Sequence, residues 1–136
     1  MVHWVKLWNK RSIFYFGITN QKNQKNIENL PCVLFTGLHH ANEPLSFTMN
    51  IYIMTKILFD FYHEVKKIEE VLKDSLLIFI PAINIDGYFL ISEIYQKTKI
   101  IPHEIRKNRR NFGNCDRFDF LYLDMILFEF YFEVLI

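Results

Sequence analysis

The chain has 136 residues, 51% of them hydrophobic and 17% aromatic, enough for one packed domain and too few for two. That composition excludes a disordered chain, and a formal net charge of +1 excludes a global pull towards nucleic acid, anionic membrane or acidic substrates. Any charge-driven function has to reside in a local cluster.

Residues 1–10 hold two tryptophans and scattered lysines without a continuous apolar core, so no cleavable secretory signal is read there. Residues 13–19 (IFYFGIT) are rich in β-branched and aromatic side chains and predict a strand. The polar run 20–29 (NQKNQKNIEN) has the composition of a solvated loop. Pro31 then opens a short apolar run, 33–37, read as a buried strand that ends in His39, His40, Asn42 and Glu43. Pro44 suits the first position of a helix, where its missing N–H costs nothing. Residues 45–63 are long enough for a core helix, although apolar all round.

Residues 65–74 are either the tail of that helix or a loop, with Glu64, Glu69 and Glu70 on a charged face beside Lys66, Lys67 and Lys73. Residues 76–80 (LLIFI) form a second uninterrupted apolar run, fitting an interior strand. Pro81 stops it, and residues 84–87 (NIDG) have turn chemistry. The cysteines, Cys32 and Cys115, are too far apart for a spaced metal pair and leave the compartment undetermined. At the C-terminus, residues 118–136 are apolar but interrupted by Asp119, Asp124, Glu129 and Glu133. Each such acid costs about 2.5–3.5 kcal/mol at a membrane centre, so no membrane span is expected.

Strand, helix, strand with fully apolar strands is the pattern of an α/β layer fold. In such sheets ligands collect beyond the C-terminal strand ends. His39 to Glu43 falls at one such end and Asn84 to Asp86 at another. His40 and Glu43 form an H-x-x-E pair on a strand-to-helix turn, and imidazole nitrogen and carboxylate oxygen are both zinc ligands. The tetrapeptide alone also admits a plainer reading, in which Glu43 favours the positive end of the helix dipole and His40 is incidental.

The wider context favours metal. Residues 36–46 (TGLHHANEPLS) strongly resemble the first zinc-binding segment of the carboxypeptidase A/B-like zinc carboxypeptidases, T-G-x-H-x-R-E or H-H-A-R-E-P. Residues 81–88 (PAINIDGY) resemble that family's P-x-x-N-P-D-G-Y, and residues 105–110 (IRKNRR) its W-R-K-N-R. The resemblance covers residues 13–115 and implies an α/β, partial mixed-sheet zinc carboxypeptidase fold, truncated before the later strands. Residues 1–115 would be the N-terminal part of that domain and residues 116–136 a non-matching hydrophobic and acidic tail. By the same resemblance, His40 and Glu43 are the first two ligands of one Zn2+, with His39 a neighbour. Arg106 polarises the scissile carbonyl and binds the oxyanion, while Asn84, Asp86, Gly87 and Tyr88 shape the strand end beside the site. The reaction implied is hydrolysis of the C-terminal peptide bond of a peptide or protein by a zinc-activated water.

Departures accompany the match. Asn42 stands where the family often has a substrate-contacting arginine, and Ile85 replaces its proline. After Cys115 the sequence does not carry the family's carboxylate-gripping Asn-Arg pair, and His103 is the last histidine. The expectation is therefore weak zinc binding through two ligands and an inactive chain, from a truncated product or a gene model running past an exon end. The alternative is a non-catalytic pseudoenzyme or interaction module. Nucleic-acid binding through Arg106, Lys107, Arg109 and Arg110, with Phe112 nearby, ranks below a solvated basic loop, because the patch is five residues long in a near-neutral chain. His3, His63 and His103 are isolated in sequence and read as surface residues.

Overall fold

The structure, a computed structural model, describes the backbone of residues 2–6 and 11–107, with side chains over 11–107 except at residue 24. The expectations for residues 116–136, and those for Arg109, Arg110, Phe112 and Cys115, lie outside the described residues.

Four strands form one mixed sheet: β1 (Val2–Lys6), β2 (Ser12–Ile18), β3 (Cys32–Thr36) and β4 (Leu76–Ile80), in the order β1-β2-β4-β3. β4 pairs antiparallel with β2 (Phe16 opposite Phe79) and parallel with β3 (Phe35 opposite Phe79). Every residue of β4 is buried, which explains its unbroken apolar run: a strand covered on both faces has no reason to alternate. Its side chains still divide by the pleat. Leu76, Ile78 and Ile80 join Ile13 and Ile83 on one face, while Leu77 and Phe79 join Ile18 and Leu72 on the other. The second face is covered by Ile53, Met54 and Ile57 of helix α1 (Pro44–Tyr62) and Ile68 of helix α2 (Lys66–Lys73).

Strand β3 corrects the sequence reading. It was expected to be buried, yet Cys32, Val33 and Leu34 are exposed, because β3 is the end strand of the described sheet and pairs with β4 alone. The polar run 20–29 also differs from a plain loop. It forms 3-10 turns over Gln21–Asn29, kinked at Asn26, with the Asn20 side chain accepting from the Lys22 N–H. Asn23 Nδ2 donates to the Leu72 carbonyl at 3.1 Å and the preceding Thr19 Oγ1 to the Ser75 carbonyl at 2.7 Å, so polar side chains fasten this segment to the junction between α2 and β4. Ile27 and the Leu30 that follows the turns pack on the Ile13 face.

Pro44 opens α1 as its position foretells. The helix stops at Tyr62, and Glu64, with φ 57°, reverses the chain so that the separate helix α2 forms within residues 65–74, capped by Val65 and Asp74. α1 is apolar beyond the face it packs: Leu45, Met49, Tyr52 and Phe59 stay exposed. No helix of the described residues is long and apolar enough to cross a membrane. Helix α3 (Ile85–Thr98) follows β4 and was not anticipated. The turn chemistry of residues 84–87 is in fact its N-cap, with Asn84 Oδ1 accepting from the Gly87 N–H. Buried Asp86 in its first turn receives Arg11 Nη1 at 2.8 Å, and the Arg11 guanidinium lies over the Phe89 ring.

Candidate functional site

Because β3 and β4 run parallel, their C-terminal ends open on the same edge of the sheet. Three backbone hydrogen bonds carry the pairing past the strands: Gly37 N–H to Ile80 O (3.0 Å), Ile83 N–H to Gly37 O (3.0 Å) and Asn84 N–H to Leu38 O (2.9 Å). Gly37 has to be glycine, since a Cβ there would meet the Pro81 and Ser46 carbonyl oxygens at 2.8 Å. The next residue, Leu38, takes a left-handed φ of 53°, which costs a non-glycine residue about 1–2 kcal/mol. Its buried side chain and the Ser46 hydroxyl, which accepts the Leu38 N–H at 2.8 Å, hold it there. That reversal turns the chain out of the sheet and aims the following residues over its edge.

A tight turn then brings His40 and Glu43 together, closed by the Glu43 N–H on the His40 carbonyl at 3.1 Å. His40 Nδ1 lies 3.1 Å from Glu43 Oε2. Glu43 occupies the N-cap position of α1 without making a side-chain cap bond, so its carboxylate is turned to His40 and not to the helix. Glu43 thus lies at the positive end of the α1 dipole, as the plainer reading of the motif has it, with its carboxylate paired to His40. Arg106 arrives from the segment after α3. Its Nη1 donates to Glu43 Oε1 at 2.9 Å, and its Nη2 lies 2.9 Å from His40 Nδ1 and 3.4 Å from Nε2. His40 is buried, whereas the side chains of Glu43 and Arg106 are 48% and 43% exposed, so the cluster has a dry floor and a wet mouth.

The hydrogen bond with His40, aided by the charge of Arg106, lowers the Glu43 carboxyl from its ordinary value. Burial lowers His39, and the charge of His40 beside it acts the same way. His40 Nδ1 itself faces an acceptor on Glu43 and a donor on Arg106, and one nitrogen cannot be donor and acceptor at once. A nitrogen lone pair and a carboxylate converging on one point are the donor set that a divalent cation satisfies. Two ligands about 2.0–2.2 Å from one tetrahedral zinc stand roughly 3.3–3.6 Å apart, a few tenths of an ångström more than the separation found here. Among the described residues, no group of three or more His, Cys, Asp or Glu could hold a metal ion. The pair thus fits part of a catalytic zinc site, which takes three protein ligands.

The residues flagged after β4 sit directly behind this cluster. Asn84 is buried, and its Nδ2 donates to the carbonyls of His39 (3.3 Å) and Arg106 (3.0 Å). Gly87 admits the close approach of α3, since a Cβ would meet Asn84 Oδ1 at 2.6 Å and the Ala41 Cβ at 2.7 Å. Asp86 is tied to Arg11, and Tyr88 is exposed with its N–H on the Asn84 carbonyl. Of the isolated histidines, His63 and His103 are exposed. Sequence reasoning missed two contributors: Ser46 braces the loop through Leu38 and Glu43, and Arg11 neutralises Asp86. Asn42, noted in the sequence as a departure from the family, donates its Nδ2 to the His103 carbonyl. Ser46 lies three positions after Glu43, a spacing that marks a helix-start brace; Arg11 lies 75 positions from its partner and left no local signal.

Comparison with known proteins supplies what the geometry leaves open. A family profile described as zinc carboxypeptidase matches residues 2–122. Among solved structures, the chain is similar to the carboxypeptidase A from Helicoverpa armigera, with 25% sequence identity and a TM-score of 0.59. The match covers 84% of this chain and 25% of that one, so the chain spans about a quarter of that protein's length. No curated protein matches the chain.

Proposed function

We propose, from the premise that this chain belongs to the zinc carboxypeptidase family, that it supplies two zinc ligands and an oxyanion-binding arginine for hydrolysis of C-terminal peptide bonds. His40 and Glu43 would hold the ion through Nδ1 and the carboxylate, the atoms that already converge. Zinc, when bound, polarises a carbonyl oxygen and brings its water to a pKa near neutrality. Arg106 offers fixed, charged N–H donors beside that point, suited to the oxygen of a scissile peptide as negative charge develops there. The buried backs of the two strand-end loops keep these three side chains from relaxing apart. The substrate would be the C-terminus of a peptide or protein.

The convergence of one imidazole and one carboxylate at 3.1 Å carries this reading. No third His, Cys, Asp or Glu joins them among the described residues, and a site of these two ligands alone is expected to hold zinc weakly. Zinc content of the purified chain beside that of His40→Ala tests the assignment, and equal content would remove it. Nucleic-acid binding gains nothing from the structure, since the Arg106 guanidinium is engaged by Glu43 and only Lys107 of the remaining basic cluster lies within the described residues.

Arg106 and a metal ion draw on the same lone pairs of His40 and Glu43. Replacing Arg106 by alanine is therefore expected to keep zinc affinity or raise it a few-fold, read by competition against a chromophoric chelator. Loss of affinity as large as that of His40→Ala would instead make Arg106 a structural prop of the ligand pair.

A further inference from the structure

We propose that Asn84 is a positioning residue whose side-chain amide sets the distance between the His40–Glu43 pair and Arg106. The inference rests on reading those three residues as one site. They come from two stretches far apart in sequence, the loop after β3 and the segment after α3. Neither stretch is a regular element at the point of contact, so something must hold one against the other. Beside the Asn42 bond to the His103 carbonyl, the link nearest the site is the Arg106 main-chain carbonyl, which accepts the Ala41 N–H at 3.3 Å and Asn84 Nδ2 at 3.0 Å. The same Nδ2 also donates to the carbonyl of His39, the residue preceding the proposed ligand, at 3.3 Å.

The orientation of this amide leaves no ambiguity. Its oxygen faces the Gly87 N–H at 3.1 Å and its nitrogen faces two carbonyls, so each end meets its complement. Asn84 is 1% exposed, so water does not replace a donor that is lost. No other side chain of this size does both jobs. Aspartate or serine would still cap α3, but neither presents an N–H to the His39 and Arg106 carbonyls. Glycine at position 87 is what lets the amide in, because a Cβ would stand 2.6 Å from its oxygen. One amide therefore fixes the start of α3, the backbone beside the ligand pair and the backbone of the arginine at once.

The test compares 15N-labelled wild-type chain with Asn84→Ser and Asn84→Asp, both of which keep the α3 cap, and with Arg106→Ala, all without added metal. The observable is the His40 ring nitrogen signals, which sense the Arg106 guanidinium. If Asn84 sets the geometry, both Asn84 variants shift these signals at least half as far as Arg106→Ala does and in the same direction, while the Gly87 and α3 amide signals stay in place. A core variant of matched stability loss, Ile13→Val, should leave the His40 signals where they are, which separates positioning from general loosening. His40 signals at their wild-type positions in either folded Asn84 variant would overturn the proposal. Failure of the zinc reading shows separately, as wild-type His40 signals that do not respond to added zinc.

Discussion

His40→Ala is expected to lower the zinc affinity of the chain by about 100-fold, and Glu43→Gln by about 10-fold or more. Losing a residue that merely orients a metal ligand already costs roughly 10–100-fold, so losing a ligand outright costs no less. The two substitutions remove different things. Alanine at position 40 takes away the buried nitrogen, whereas glutamine at position 43 keeps the shape of the side chain and removes its charge. His39 supplies the internal control: its imidazole is next in sequence, half-buried and not assigned to the metal, so His39→Ala should leave affinity largely unchanged. Chelator competition on protein shown to be folded by circular dichroism reads all three. A larger loss from His39→Ala than from His40→Ala would move the ligand role to the neighbouring ring.

Phe79→Ala is expected to destabilise the fold by about 3–5 kcal/mol, a large part of the roughly 5–15 kcal/mol that a domain has. Phe79 is fully buried on the interior strand β4, and its ring stacks on Phe35 with centroids 4.6 Å apart. Truncation loses that stacking and leaves a cavity between β4 and the helices, where Leu77, Ile53 and Met54 are already fixed by their own contacts. Phe14, on the neighbouring strand and 51% exposed, provides the contrast: Phe14→Ala should change stability by less than about 0.5 kcal/mol. Urea midpoints of the two variants measure the difference. A Phe79→Ala chain within about 1 kcal/mol of wild type would contradict the placement of β4 at the centre of the sheet.

How far each feature was legible depends on how local its cause is. The run LLIFI announced an interior strand because burial on both faces leaves no polar position. Pro44 announced the start of α1 because proline has a fixed place there. The exposure of β3 was not legible, since its apolar run resembles that of β4 and only the pairing order makes one central and the other terminal. Residues 20–29 misled for a similar reason: the Asn23 side chain serves the carbonyls of residues 72 and 73, which no local pattern reveals.

The site divides in the same way. His40 and Glu43 lie three positions apart on one turn, so their meeting was within reach of sequence reasoning, and the three family-like segments pointed to Arg106 as well. The segments contain Leu38, Ser46 and Asn84 but do not reveal why the groups stay together: the left-handed Leu38, the Ser46 brace, and the amide of Asn84 reaching two carbonyls. These depend on backbone conformation and on contacts between distant loops, and the residue types are common in any turn.

X-ray absorption at the zinc edge of the metal-loaded chain tests the central claim most directly. Nitrogen and oxygen neighbours at about 2.0–2.2 Å, with outer scattering from a single imidazole that vanishes in His40→Ala, are the expected result. A sulfur neighbour at about 2.3 Å, or an imidazole signal that survives loss of His40, would place the metal elsewhere and contradict it.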